Sequence, residues 1–274
     1  MSKNTPKTMS QLKNKTAVVI GAASPGNMAQ VIAQRFADEG ATVLVSGRNE
    51  EELMRFSKEI GGLYFICDIT DHNQVTNLAE HAQAELGSVD IGVNATGWGL
   101  AKPILEVEDE ELERMVALQF KGVHYFLAEF VRAMMANKTP GGSLINISSA
   151  TTKALINNYA SYIGTKTGSE ALVRCVANDY GQHGIRANSI SPALTKTPMT
   201  EGSFGVPGLV DTFISRTPLG RLNTSNDIAS AAVWLASDQA FVSGQNLQVN
   251  GGLTLRGNPQ AVDIQKAIAE ASAE

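Results

Sequence analysis

Short runs of branched apolar residues alternate along the chain with longer stretches in which apolar positions recur every three or four residues. Thr16-Ala17-Val18-Val19-Ile20 is the first run, a predicted strand that stops at Gly21. Val31, Ile32, Phe36 and Ala37 follow at helical spacing between about Asn27 and Glu39, and Gly40 ends them. The pattern then predicts strands at 42–45, 63–66, 90–93, 143–147 and 185–190. Helices are predicted between them at 50–60, 71–86, about 107–136 and 159–180, with Asp71 placed to cap its own. Residues 192–221 read as loop. A helix over about 225–236 and a last strand over 246–249, closed by Gly251-Gly252, complete the series.

Strands this apolar need cover on both faces, which a parallel sheet with helices on each side supplies through right-handed crossovers. Seven of them predict an α/β fold: one doubly wound domain with a seven-stranded parallel sheet over residues 14–253. Residues 1–13 read as a flexible lead-in and 254–274 as a helical extension. With 43% hydrophobic and 18% charged residues in 274, the chain is too apolar for wholesale disorder. Its net charge of −5 lacks the basic excess of a nucleic-acid binder. The polar start and the lack of any run near the roughly 18 apolar residues of a membrane span predict neither signal peptide nor membrane helix, hence a cytoplasmic protein. Asn137 and Asn146 open Asn-x-Ser/Thr matches, read as chance without a secretion signal. Cys67 and Cys175 form neither a disulfide framework nor a zinc pair, which fits a reducing compartment, and Cys67 is expected to end an interior strand. His72, His81, His124 and His183 show no metal spacing, so no metal site is expected.

The first strand runs into Gly21-Ala22-Ala23-Ser24-Pro25-Gly26-Asn27-Met28-Ala29. A glycine-rich turn between strand and helix is a dinucleotide cradle: Gly21 permits the turn, Gly26 lets backbone approach a pyrophosphate, and Ala29 allows close packing. Where NAD-binding sheets carry an acid after the second strand, this chain has Ser46-Gly47-Arg48. Arg48 can pair with a 2′-phosphate, which favours NADP(H) over NAD(H) unless Arg48 is only a solvated surface charge. Asp68, followed by Ile69, is placed to accept from an adenine amino group. Asn94-Ala95-Thr96-Gly97 brings small residues against the cofactor.

Tyr162 and Lys166, four apart, share one helix face. Ser149 lies just past the fifth strand, where open α/β sheets bind ligands. With these residues the chain resembles the short-chain dehydrogenase/reductase family over roughly residues 14–253. Ile185-Arg186-Ala187-Asn188, Ser191-Pro192, Pro218-Leu219-Gly220-Arg221 and Asn250-Gly251-Gly252 also carry the resemblance. It implies a single Rossmann domain and hydride transfer between nicotinamide and a carbonyl or alcohol carbon. Tyr162 is then general acid or base. Lys166 binds the nicotinamide ribose and lowers the Tyr162 pKa, while Ser149 holds the substrate oxygen. Pro192, Thr195 and Thr197 meet the carboxamide.

The chain departs from that family in its longer glycine turn, in Thr96, in Ala193 and in Gln119, which stands where the family has a catalytic Asn. Gln119 keeps the amide but is one methylene longer, so it is expected to take the catalytic Asn's place in the proton relay, either preserving it with a shifted water or slowing proton delivery. Trp98, Leu100, Leu155, Phe204 and Phe213 are expected to line the substrate pocket, which points to a hydrophobic small-molecule ketone or alcohol. No nucleic-acid or membrane partner is expected, and assembly as a homotetramer or homodimer is implied by the family. Two alternatives stay open: a catalytically weak NADP-binding sensor or scaffold, and a ketoreductase of acyl thioesters.

Overall fold

In the computed structural model, which describes residues 10–271, the seven expected strands all form. They are β1 (Thr16–Ile20), β2 (Thr42–Gly47), β3 (Leu63–Ile66), β4 (Ile91–Asn94), β5 (Gly142–Ile147), β6 (Ile185–Pro192) and β7 (Asn246–Val249). They make one sheet in the order β3-β2-β1-β4-β5-β6-β7, and every neighbouring pair is parallel. The order reverses between β1 and β4. Chains leaving these two strands diverge to opposite sides, which opens a crevice at their carboxyl ends.

Helices cover both faces. α1 (Met28–Asp38), α2 (Glu50–Glu59) and α9 (Ser225–Ala236) enclose one apolar core, which includes Val19, Ile32, Phe36, Val45 and Ile145. α3 (His72–Leu86), α5 (Gly122–Ala136) and α6 (Ala160–Tyr180) enclose the other, around Val18, Leu44, Phe126, Phe130 and Leu144. Alternate residues of β1 thus go to opposite cores, as the period of two in a strand requires. Asp71 does cap α3, accepting from the N–H groups of Asn73 and Gln74.

Four features differ from the sequence pattern. The long helix over 107–136 is α4 (Asp109–Val116) joined to α5 through a π turn at Ala117–Lys121. Such a turn inserts one residue without ending the helix, so the stretch still reads as one continuous helical run. The stretch read as loop holds α7 (Glu201–Phe204) and α8 (Leu209–Arg216). Leu12 is wholly buried and its N–H bonds Glu39 O, so order reaches into the expected lead-in; residues 1–9 lie outside the described residues. β3 is an edge strand, so Cys67 follows an edge and not an interior strand.

Beyond β7 lie α10 (Leu253–Arg256) and α11 (Ala261–Ala271). α11 packs on α8, with Arg216 paired to Asp263 at 2.8 Å. Asn258 donates to Ala154 O, and Ala261 N–H donates to Asn157 Oδ1 at 2.8 Å. The extension therefore ties together the two chain segments that flank the carboxyl end of β5 and β6.

Phe130 shows how tightly the second core is filled. It is fully buried, its ring centroid lies 4.8 Å from that of Phe126, and a Cβ at Gly92 would fall 2.8 Å from its Cδ1. Phe130→Ala is expected to cost about 3–5 kcal/mol in urea denaturation, whereas Phe130→Leu, which keeps most of the volume, costs much less.

Candidate active site

The crevice is a cleft of about 580 Å³ along the carboxyl ends of the central strands, a volume suited to a small ligand or cofactor. One end is bounded by the turn after β1 and by Gly47, Arg48, Asn49, Cys67 and Asp68. The other is bounded by Trp98, Ser149, Tyr162, Lys166 and the segment Thr197–Thr200.

The turn at 21–27 is held by side chains. Gly21 and Gly26 take φ of +106° and +66°, values that disfavour a residue with a Cβ. Asn27 donates to Gly21 O at 2.7 Å and accepts from Gln30 N–H at 3.0 Å, closing the turn and capping α1. Gln30 is buried; it accepts from Gly26 N–H and donates to Ala22 O and to Glu52. Ser24, Asn27 and Met28 face the cleft, so the free N–H groups at the start of α1 point where a pyrophosphate would lie. Gly26 does not face it: its backbone serves the turn.

Arg48 lies 3.5 Å from Asp68, and its side chain is 74% exposed. Asp68 also accepts from Thr70, and its carboxyl is held below the usual range, burial opposing the Thr70 bonds and Arg48. At Gly47, the last residue of β2, there is no room for a side chain. A Cβ at Gly47 would fall 2.6 Å from Ala23 Cβ. Cys67 also faces this end; burial, with Asp68 and Asp71 nearby, pushes its thiol up to about 12, so it stays protonated.

At the opposite end, β5 and α6 bring Ser149, Tyr162 and Lys166 to one wall. Ser149 Oγ accepts from Thr151 N–H at 3.2 Å and from the Thr151 hydroxyl at 2.9 Å. With its lone pairs engaged, its own hydrogen is the one left to donate, and it is turned to the Tyr162 oxygen. Lys166 is buried and gives one hydrogen to Ile147 O at 2.8 Å, which leaves two N–H donors. Burial pushes its pKa down to about 8, with Glu170 opposing the shift. Burial pushes the Tyr162 phenol up; the Ser149 hydroxyl pulls the other way and Tyr159 adds to the rise. The expected downward shift from Lys166 is not found; its Nζ lies 6.0 Å from the Tyr162 ring centroid. A hydroxyl donor, a protonated phenol and an ammonium on one dry wall can deliver a proton to a carbonyl oxygen and stabilise charge there.

Several expected residues sit elsewhere. Asn94 is 1% exposed and bonds Asn146 and Thr96, bracing the strand ends from behind while Ala95, Thr96 and Ile69 reach the cleft. Gln119, also buried, does not bond Lys166. The π turn aims its amide so that Oε1 accepts from Trp98 N–H at 3.2 Å and Nε2 donates to Thr165 Oγ1 at 3.0 Å. Thr165 in turn bonds Tyr162 O. Phe213 is buried with Ala150 and Leu253 in a small apolar cluster, packed on by Ile156 and Leu209, so it supports the wall from outside. Leu155 is 65% exposed, and Phe204 packs under Lys196 at 5.8 Å. Neither these two nor Leu100 lines the cleft, whereas Trp98 does. Pro192, Thr195 and Thr197 line it. Leu118, Pro198, Met199 and Thr200 line it without having been anticipated. The Thr200 hydroxyl donates to Thr195 O at 2.5 Å and shapes that turn; no spacing in the sequence marks it. No group of three or more His, Cys, Asp or Glu side chains that could hold a metal occurs among the described residues.

Residues 21–254 match the family model described as enoyl-(acyl carrier protein) reductase. The chain is 34% identical over 251 residues to 3beta-hydroxysteroid dehydrogenase 1 of Eggerthella lenta, covering 89% of this chain and 95% of that protein. Among solved structures it resembles a short-chain type dehydrogenase/reductase from Mycobacterium ulcerans, with TM-score 0.86, 28% identity and coverage of 94% and 98% of the two chains. A gluconate 5-dehydrogenase from Burkholderia cenocepacia in complex with NADP and tartrate gives TM-score 0.85, 26% identity and coverage of 90% and 98%.

The Gln119 bonds make a direct prediction. Gln119→Ala leaves the Trp98 N–H and the Thr165 hydroxyl short of a partner and opens a cavity. Urea denaturation should show a loss of about 1–3 kcal/mol.

Proposed function

Because the chain belongs to the short-chain dehydrogenase/reductase family, it is an oxidoreductase of the alcohol/carbonyl type, and we propose that it reduces a hydrophobic ketone, or oxidises the alcohol, with NADP(H). The observation that carries the reading is the convergence of Ser149, Tyr162 and Lys166 on one wall of the cleft. The dinucleotide supplies or accepts the hydride when bound. In the reduction direction Tyr162 gives its phenolic proton to the substrate oxygen. Ser149 donates a hydrogen bond to the same oxygen, strongest as negative charge grows there. Lys166 steadies the phenolate left on Tyr162 and offers its two free hydrogens to the ribose. Gln119 acts by holding the Trp98 loop against the helix that carries Tyr162.

The cradle fits a dinucleotide: Gly21, Ser24, Gly26, Asn27 and Met28 form or face the pyrophosphate turn. Asp68, Ile69, Ala95 and Thr96 take the adenine and ribose side, and Pro192, Thr195 and Thr197 the nicotinamide side. Arg48 supports NADP(H), since no acid at the end of β2 opposes a 2′-phosphate. The substrate end supports an apolar partner through Trp98, Leu118, Pro198 and Met199. Free Cys67 and Cys175 are in keeping with a reducing, cytoplasmic setting, and no helix among the described residues is long and apolar enough to cross a membrane. Leu112, Phe120 and Tyr180, exposed on or beside the long helices, support assembly as a homotetramer or homodimer.

Two measurements test the reading. Tyr162→Phe should lower kcat on a hydrophobic ketone by about 10²–10⁴-fold while the NADPH dissociation constant stays nearly unchanged. Near-normal turnover in that variant refutes the role of Tyr162. In the unaltered protein kcat/KM should favour NADPH over NADH, and Arg48→Ala should cut that preference by about tenfold or more; a preference for NADH refutes the cofactor assignment.

A further inference from the structure

Five of the seven buried side-chain atoms without a hydrogen-bond partner among the described residues lie on one face of two adjacent strands. They are Ser189 Oγ, Ser191 Oγ, both amide atoms of Asn246, and Gln248 Nε2. The register of β6 and β7 sets Ser189 opposite Asn246 and Ser191 opposite Gln248, so these side chains form a two-rung polar ladder. Leu247 and Val249, which alternate with them, turn to the other face and pack on the apolar core. Buried polar groups are almost always bonded, so a ladder of unmatched ones is where a partner is missing.

The ladder borders a cavity of about 410 Å³ between α6 and the start of β7. Ser189, 1% exposed, lines it directly with Asn246, and Lys153, Glu170 and Arg174 complete the charged part of the wall. Glu170 is already engaged: it accepts from the Ser148 hydroxyl at 2.5 Å, and its charge opposes that of Lys166 one turn earlier in α6. Lys153 and Arg174 form no ion pair among the described residues. The wall therefore has two unclaimed cations and an excess of donors, next to hydroxyl and amide groups that can exchange bonds with a ligand's hydroxyls.

We propose that this cavity is a second ligand site, separate from the cofactor cleft, which takes a small hydroxylated anion. The acid group pairs with Lys153 and Arg174, and the hydroxyls bond Ser189 and Asn246. Ser148 links the two sites: it lines the cleft on one side and bonds Glu170 on the other.

Calorimetric titration of the full chain tests this, with NADPH present at saturation so that the cofactor's phosphate sites are filled. Citrate is the probe, inorganic phosphate the control for charge alone, and glycerol the control for hydroxyls alone. Citrate should bind one to one with a dissociation constant below about 1 mM, phosphate at least about tenfold more weakly, and glycerol without measurable heat. The exposed pair K153Q/R174Q should weaken citrate at least about tenfold and leave NADPH binding unchanged. The proposal is overturned by a lack of saturable citrate binding, by equal affinity for citrate and phosphate, or by undiminished citrate binding to K153Q/R174Q.

Discussion

Lys166 is an ammonium held out of water, and the geometry of the cleft follows from how that is made tolerable. Its Nζ bonds the carbonyl of Ile147, the last residue of β5, so helix and sheet are locked together at the strand end. Behind it, Asn94, Asn146 and Ser169 form a buried chain of side chains that ends on Lys166 O. Space is equally tight: a Cβ at Gly97 would fall 3.6 Å from the lysine nitrogen and 3.3 Å from Gln119 Oε1. A buried cation without a contacting carboxylate is costly, and the cost appears as a depressed pKa. Lys166 is thereby poised to gain or share a proton near neutrality, which an exposed lysine is not.

The same desolvation accounts for Tyr162. In the protein alone the phenol is harder to ionise than in water, as the proposed role of proton donor requires. At the other end of the cleft the electrostatics are local as well. The net charge of −5 says little, because what matters is one arginine, one aspartate and the lack of room at Gly47 for anything larger.

Strand runs, their order and the motifs at their carboxyl ends were legible in the sequence because a parallel sheet imposes continuous apolar runs and open sheets concentrate ligand contacts at those ends. Residues whose placement depends on their immediate backbone neighbours were legible too: the turn from Gly21, Ser149 after β5, and Tyr162 with Lys166 on one helical face. What stayed hidden depends on contacts distant in sequence. The π turn leaves 107–136 reading as one helical run yet redirects Gln119 to Trp98 and Thr165. Phe213 has the composition of a pocket residue, but α8 turns it toward Leu253, far along the chain. Leu12 looks like part of a polar leader until the end of α1 and the apolar core close over it.

The claim that burial of Lys166 organises this wall of the cleft is tested most directly by titrating that side chain. NMR of the protein without cofactor, carrying isotope-labelled lysine and assigned with Lys166→Met, follows the carbon beside its ammonium as pH rises. The account predicts a midpoint near 8 for Lys166. A midpoint at the ordinary value of 10.5 would contradict it.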